Sequence, residues 1–181
     1  MDFETFKAAV DVDLGISDSD GFLPPTDSEH YVTIGGGEPT LHPRFFDMIY
    51  YVLERGSRVW LATNGSQTAV MKRLLGLAQT GLVGVRVSLD SFHDPIDVDV
   101  ERAARQLARE SEQRRNIYEL CVSVTGAGGV LVNLGRARRN QLNASRRCDC
   151  GLLVRPDGVL RSCACASAML LGKITDCDLD Y

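Results

Sequence analysis

Four of the six cysteines in this 181-residue chain have a spacing that indicates a metal site. They form two C-x-C pairs, Cys148 with Cys150 and Cys163 with Cys165. The segment between the pairs contains Arg-Pro-Asp-Gly at 155–158, which favours a turn, so a hairpin would bring both pairs together. Four convergent thiolates suit a Zn²⁺ ion or an iron–sulfur cluster, and the spacing does not choose between them. Free cysteines in a small hairpin are the alternative.

Charge and hydropathy limit the classes of partner. The formal net charge of −4 gives no reason to expect nucleic acid, and the five arginines in 136–147 are interpreted as a solvated loop. No apolar run approaches the roughly 20 residues that cross a bilayer. The acidic N-terminus lacks a cationic segment followed by an apolar one, so we expect a cytoplasmic protein without a membrane partner. In a reducing cytosol, close-spaced cysteines are better explained as metal ligands than as disulfides.

A run of glycines at 35–37 follows a short apolar segment, and Glu38, Pro39 and Thr40 come directly after it. Consecutive glycines let backbone amides face a ligand with no side chain in the way, which suits a carboxylate or a phosphate. The carboxylate of Glu38 could accept hydrogen bonds from an ammonium group. A tight turn from strand to helix explains the three glycines equally well.

The elements that would position these residues alternate along the chain. Strands are predicted at 31–34, 58–62, 83–89 and 117–124, helices at 43–55, 66–80 and 97–115, and a further strand at 130–133. This alternation is typical of strand–helix–strand units in a parallel sheet with right-handed crossovers. Ligands of such sheets bind beyond the carboxyl ends of the strands. That rule directs attention to 35–40, 63–65, 90–93 and 125–129.

Several motifs occur in a recognisable order: TIGGGEPTLHP at 33–43, LATNG at 61–65, VSLDSFHD at 87–94 and NLGRA at 133–137. Together they resemble the radical S-adenosylmethionine (SAM) superfamily. The resemblance implies an α/β fold, a partial (β/α)6 barrel, in which the GGEP motif at 36–39 contacts the amino group of SAM. The polar end of the strand at 87–90 would lie near the SAM ribose or the substrate. The residues implied to bind the cofactor are Gly35, Gly36, Gly37, Glu38, Pro39, Asn64, Ser88 and Asp90.

One element of that family is missing from this sequence. Radical SAM enzymes carry a CxxxCxxC loop after their first strand, whose thiolates hold a [4Fe-4S] cluster, whereas the first cysteine here is Cys121. The segment 2–12 looks like the helix that follows that loop. We therefore expect a barrel that lacks its first strand, and we expect this chain alone not to cleave SAM. The open sheet edge would favour self-association or a partner chain.

The cysteine-rich segment also resembles a family element. Cys148, Gly158 and Cys163 fit the opening pattern of the SPASM and twitch extensions, which hold auxiliary iron–sulfur clusters, and LGKI at 171–174 is similar to the LGNI stretch that follows. The resemblance implies a truncated barrel at 1–140 and a twitch-like metal-binding extension at 141–181. Members with such extensions mature peptides, sulfatases and quinone cofactors, so a peptide or a small molecule is the expected substrate.

Two hypotheses of different classes follow. In the first, the chain is a radical SAM-like protein that binds SAM and holds an iron–sulfur cluster or zinc at its C-terminal cysteines. In the second, it is a degenerate, non-catalytic domain, stabilised by its metal, that binds a peptide or a protein. Redox chemistry at the C-terminal cluster without SAM is a third reading. Among the remaining residues, Trp60 is expected in the core, and His93 either reaches a ligand or caps the next turn.

Overall fold

A computed structural model describes residues 1–13, 31–90, 93–114, 122–125, 153–161 and 169–174 of the chain. Contacts divide the chain into two compact units, Pro24–Gly129 on the one hand and Met1–Leu23 with Val130–Tyr181 on the other. None of the described helices has the length and apolar character that a bilayer crossing requires.

The unit Pro24–Gly129 is built on a parallel sheet. Its strands are β1 (Tyr31–Ile34), β2 (Arg58–Thr63), β3 (Val83–Ser88) and β4 (Val122–Thr125). They lie in the order β1-β2-β3-β4, and each neighbouring pair is parallel. The predicted α/β class with a parallel sheet is confirmed. Part of the strand predicted at 117–124, and all of that at 130–133, lie outside the described residues.

Three helices connect consecutive strands: α2 (Phe45–Glu54), α3 (Thr68–Ala78) and α4 (Val98–Arg114). Each lies within two residues of its predicted bounds. The strand order follows the chain order, so crossovers of one hand place all three helices on the same face of the sheet. Their apolar stripes and that sheet face form the core, whose most completely buried side chains include Ile49, Val52, Val59, Leu61, Met71, Leu74, Val85 and Val87.

Alternation along the strands places a second, less buried set of side chains on the opposite face of the sheet. In β2 the side chains of Val59, Leu61 and Thr63 are buried, whereas Arg58 and Trp60 between them keep partial exposure. The expectation that Trp60 belongs to the core is therefore wrong. The residue lies on the face that carries no helix in the described part of this unit, because successive side chains of a strand point to opposite faces.

The second unit contains α1 (Phe3–Asp13) and three short strands, β5 (Leu153–Val154), β6 (Val159–Arg161) and β7 (Leu170–Lys173). Strand β6 pairs antiparallel with both of its neighbours. The turn between β5 and β6 places Gly158 at φ +76°, a conformation that favours glycine. A Cβ added at Gly158 would lie 3.7 Å from Cγ2 of Thr5, so α1 approaches this turn. Among its described residues, the buried apolar side chains are Phe6, Val10, Leu160 and Ile174.

Candidate cofactor and substrate site

The glycine run after β1 forms an open turn. Gly36 and Gly37 have φ values of +91° and +61°, which only glycine adopts at little cost. All three glycines are exposed, and a Cβ added at any of them would meet nothing within 4 Å. The backbone conformation therefore explains why positions 36 and 37 are glycine. A lack of space for a side chain does not explain any of the three glycines. The backbone of the turn is open to a ligand.

The carboxylate of Glu38 is held by four hydrogen bonds. Its Oε1 accepts from the N–H of Thr40 at 3.1 Å, from the hydroxyl of Thr40 at 2.6 Å and from the hydroxyl of Thr63 at 2.7 Å. Its Oε2 accepts from the N–H of Asn64 at 2.6 Å. A carboxylate offers about four acceptor positions, about two on each oxygen. Oε1 is therefore saturated, whereas Oε2 retains capacity for one further donor.

The end of β2 and the turn after it supply two of the donors to the Glu38 carboxylate. Thr63 is 2% exposed, and its hydroxyl donates to Glu38 while accepting from the N–H of Gly65 at 3.0 Å. The side chain of Asn64 accepts from the N–H of Ser66 at 2.9 Å and so closes the turn itself. Gly65 has φ +72°, and a Cβ there would lie 3.1 Å from Cδ1 of Ile96. The backbone of Asn64, rather than its side chain, contacts Glu38.

The segment after β3 carries a carboxylate–imidazole pair. Oδ1 of Asp90 lies 2.8 Å from Nδ1 of His93, and the two side chains are 15% and 28% exposed. The N–H of His93 also donates to the carbonyl of Asp90 at 3.3 Å, so the pair closes a turn. Ser88, the last residue of β3, is half-buried. Both contacts of His93 run back to Asp90, so the two alternatives expected for His93, reaching a ligand or capping the next turn, stay predictions.

The predicted cofactor residues gather at one edge of the sheet. Hydrogen bonds join the turn after β1 to the turn after β2, and the pairing of Thr63 with Val87 places Ser88 next to Asn64 across the strands. Parallel strands bring their carboxyl ends together, which is why the rule for α/β sheets indicates this edge. The sequence did not indicate that Thr40 and Thr63 hold Glu38. The available signal was that both threonines lie inside the quoted motifs, Thr40 in TIGGGEPTLHP and Thr63 in LATNG.

The cysteine site predicted at Cys148, Cys150, Cys163 and Cys165 lies outside the described residues. In the part of the chain that the structure describes, no group of three or more His, Cys, Asp or Glu side chains is arranged to hold a metal ion. The metal prediction therefore stays a prediction.

Comparison with known proteins gives partial relatives. No protein-family model matches the chain. Mycofactocin maturase MftC of Mycobacterium tuberculosis is 33% identical over 112 residues, 61% of this chain and 26% of that protein. A tungsten-containing aldehyde ferredoxin oxidoreductase cofactor-modifying protein of Pyrococcus furiosus is 43% identical over 56 residues, 31% of this chain and 15% of that protein. The chain thus spans about a quarter or less of these relatives. The similarities support a radical SAM-related family.

Proposed function

We propose that this chain is a radical SAM-like protein that binds S-adenosylmethionine at the carboxyl edge of its parallel sheet. The observation that carries the proposal is the Glu38 carboxylate, which four donors hold beside an exposed glycine turn. An acceptor fixed before the ligand arrives loses little entropy on binding. Its remaining acceptor position on Oε2 suits one N–H of an ammonium group.

The residues of this edge fit the polar groups of SAM. Glu38 would hold the ammonium group, and the glycines at 35–37 would offer backbone N–H donors to the carboxylate. Ser88 and Asp90 would line the same site from the neighbouring strand. SAM, when reduced by an iron–sulfur cluster, supplies a 5′-deoxyadenosyl radical in the family that this chain resembles. The chain's own residues bind and orient the cofactor.

The cluster that cleaves SAM does not fit the residues of this sequence. Three thiolates close to the first strand would be needed, and no cysteine precedes Cys121 in the 181 residues. No step through that cluster is therefore assigned to these residues. The singly wound order of β1 to β4 is the order found in barrels, which supports a partial barrel at 1–140.

The SAM proposal is tested by calorimetric titration of the full chain. Glu38→Gln keeps the shape of the side chain and removes its charge, and Glu54→Gln removes a charge from the exposed end of α2 as the matched control. A hydrogen bond to a charged group contributes about 1.5–3 kcal/mol, so SAM should bind Glu38→Gln on the order of tenfold to a hundredfold more weakly. Glu54→Gln should bind it as the parent does.

Equal affinity in Glu38→Gln and the parent, or no binding in the parent, would contradict the proposal. Glu38 also joins two turns, so thermal unfolding of both variants is recorded alongside. If Glu38→Gln unfolds at a lower temperature, the titration is repeated well below that temperature, where the variant is folded. If the affinity for SAM is still reduced at that lower temperature, the loss is caused by the change in the binding site and not by unfolding.

The second candidate is a non-catalytic, metal-stabilised module that binds a peptide or a protein. The observation that favours it is the small unit of α1 with β5 to β7, whose turn the four C-terminal cysteines flank in sequence. Metal and sulfide analysis of anaerobically purified protein separates the candidates. About four irons and four sulfides per chain would indicate an auxiliary iron–sulfur cluster and favour the radical SAM-like protein. One zinc without sulfide would favour the non-catalytic binding module.

A double substitution tests the ligands themselves. Cys163→Ala with Cys165→Ala should abolish metal loading and lower the unfolding temperature of the hairpin unit. Cys121→Ala, which lies outside both C-x-C pairs, should keep the parent's metal content. Unchanged metal content in the double variant would contradict the site. The proposed ligand is a peptide or a small molecule for the first candidate and a peptide or a protein for the second. The cytoplasm is the proposed location for both.

A further inference from the structure

We draw no further inference here: the strongest candidate, the carboxylate–imidazole pair of Asp90 and His93 on the segment after β3, belongs to the site already described, and no contact among the described residues shows which ligand its imidazole would meet.

Discussion

Thr63 is the residue on which the geometry of the candidate site depends most. Its buried hydroxyl donates to Glu38 and accepts from the N–H of Gly65. Thr63→Val keeps the volume but leaves both partners without that bond, and an unsatisfied buried group costs about 1–3 kcal/mol. We expect the free energy of unfolding to fall by that amount in a denaturant titration, and SAM affinity to fall with it.

Two further substitutions control this experiment. Thr63→Ser retains the hydroxyl and should preserve most of the stability. Thr33→Val removes an exposed hydroxyl and should change the free energy of unfolding by less than about 0.5 kcal/mol. If Thr63→Val and Thr33→Val were equally stable, the network around Glu38 would contribute nothing.

Gly65 combines a left-handed backbone with a close neighbour. At φ +72°, an alanine would pay about 1 kcal/mol, and its Cβ would lie 3.1 Å from Cδ1 and 3.2 Å from Cγ2 of Ile96. Gly65→Ala should therefore destabilise the fold more than Gly37→Ala, which has φ +61° and open space. Adding Ile96→Val removes Cδ1 and should recover part of the difference in a double-mutant cycle. Simple additivity would contradict the predicted clash.

At this scale the sequence predicted the acceptor but not its donors. GGGEP indicated Glu38 as a ligand for an ammonium group, and the structure places Glu38 at the carboxyl edge of the sheet. The donor Thr63 lies 25 residues further along the chain. Only the parallel pairing of β1 with β2 brings it to Glu38, and no local pattern encodes such a contact. The roles of the predicted cofactor residues in binding stay predictions.

At the scale of the elements, helix α1 is preceded by a titratable side chain, Asp2, that accepts hydrogen bonds from its first turn. The carboxylate of Asp2 accepts from the N–H and the hydroxyl of Thr5, both at 2.8 Å. The backbone hydrogen bond from Thr5, and then its hydroxyl, lower the pKa of Asp2 below its ordinary value. A lowered pKa in the folded state means that the contribution to stability is present at neutral pH. It is lost as the pH falls through the lowered value.

This predicts that the N-terminal turn of α1 loosens in acid. An NMR titration should give Asp2 a pKa below that of an unstructured aspartate, with the Thr5 amide signal following the same transition. Thr5→Val keeps the backbone bond and removes the hydroxyl, so the pKa of Asp2 should rise part of the way to its ordinary value. Lys7 pairs with Glu4 and not with Asp2, so Lys7→Gln should leave the titration of Asp2 unchanged. An ordinary pKa for Asp2 in the parent would contradict the capping contact.

Periodicity predicted the helices and the parallel strands well, because each has an apolar stripe or run of the right length. It failed for Trp60. The sequence RVWLAT reads as a strand with both faces covered, which is typical of parallel sheets between two layers. Here helices cover one face in the described unit, so the alternation within the strand places Trp60 on the other. Which face is covered depends on topology, and a single strand does not carry that information.

At the scale of the whole molecule, the edge of the parallel sheet at β1 has no strand partner among the described residues. Strand β1 pairs with β2 on one side, and no described strand pairs with its other side. Unpaired backbone N–H and C=O groups at such an edge favour addition of another strand. We expect self-association of the full chain, visible as a molar mass that rises with concentration in light scattering. A monodisperse monomer over a wide concentration range would contradict this.

A charge added to β1 tests whether copies of the chain pair through this strand. Thr33 is an exposed residue of β1, and Thr33→Lys would bring like charges together wherever two copies pair through this strand. Opposed like charges cost on the order of 1 kcal/mol, so the association should weaken about fivefold. Ala69→Lys adds the same charge at an exposed position of α3 and should leave the association unchanged. Equal weakening by both variants would indicate net charge rather than strand pairing as the cause. A selective effect of Thr33→Lys would identify β1 as the strand through which copies of the chain meet.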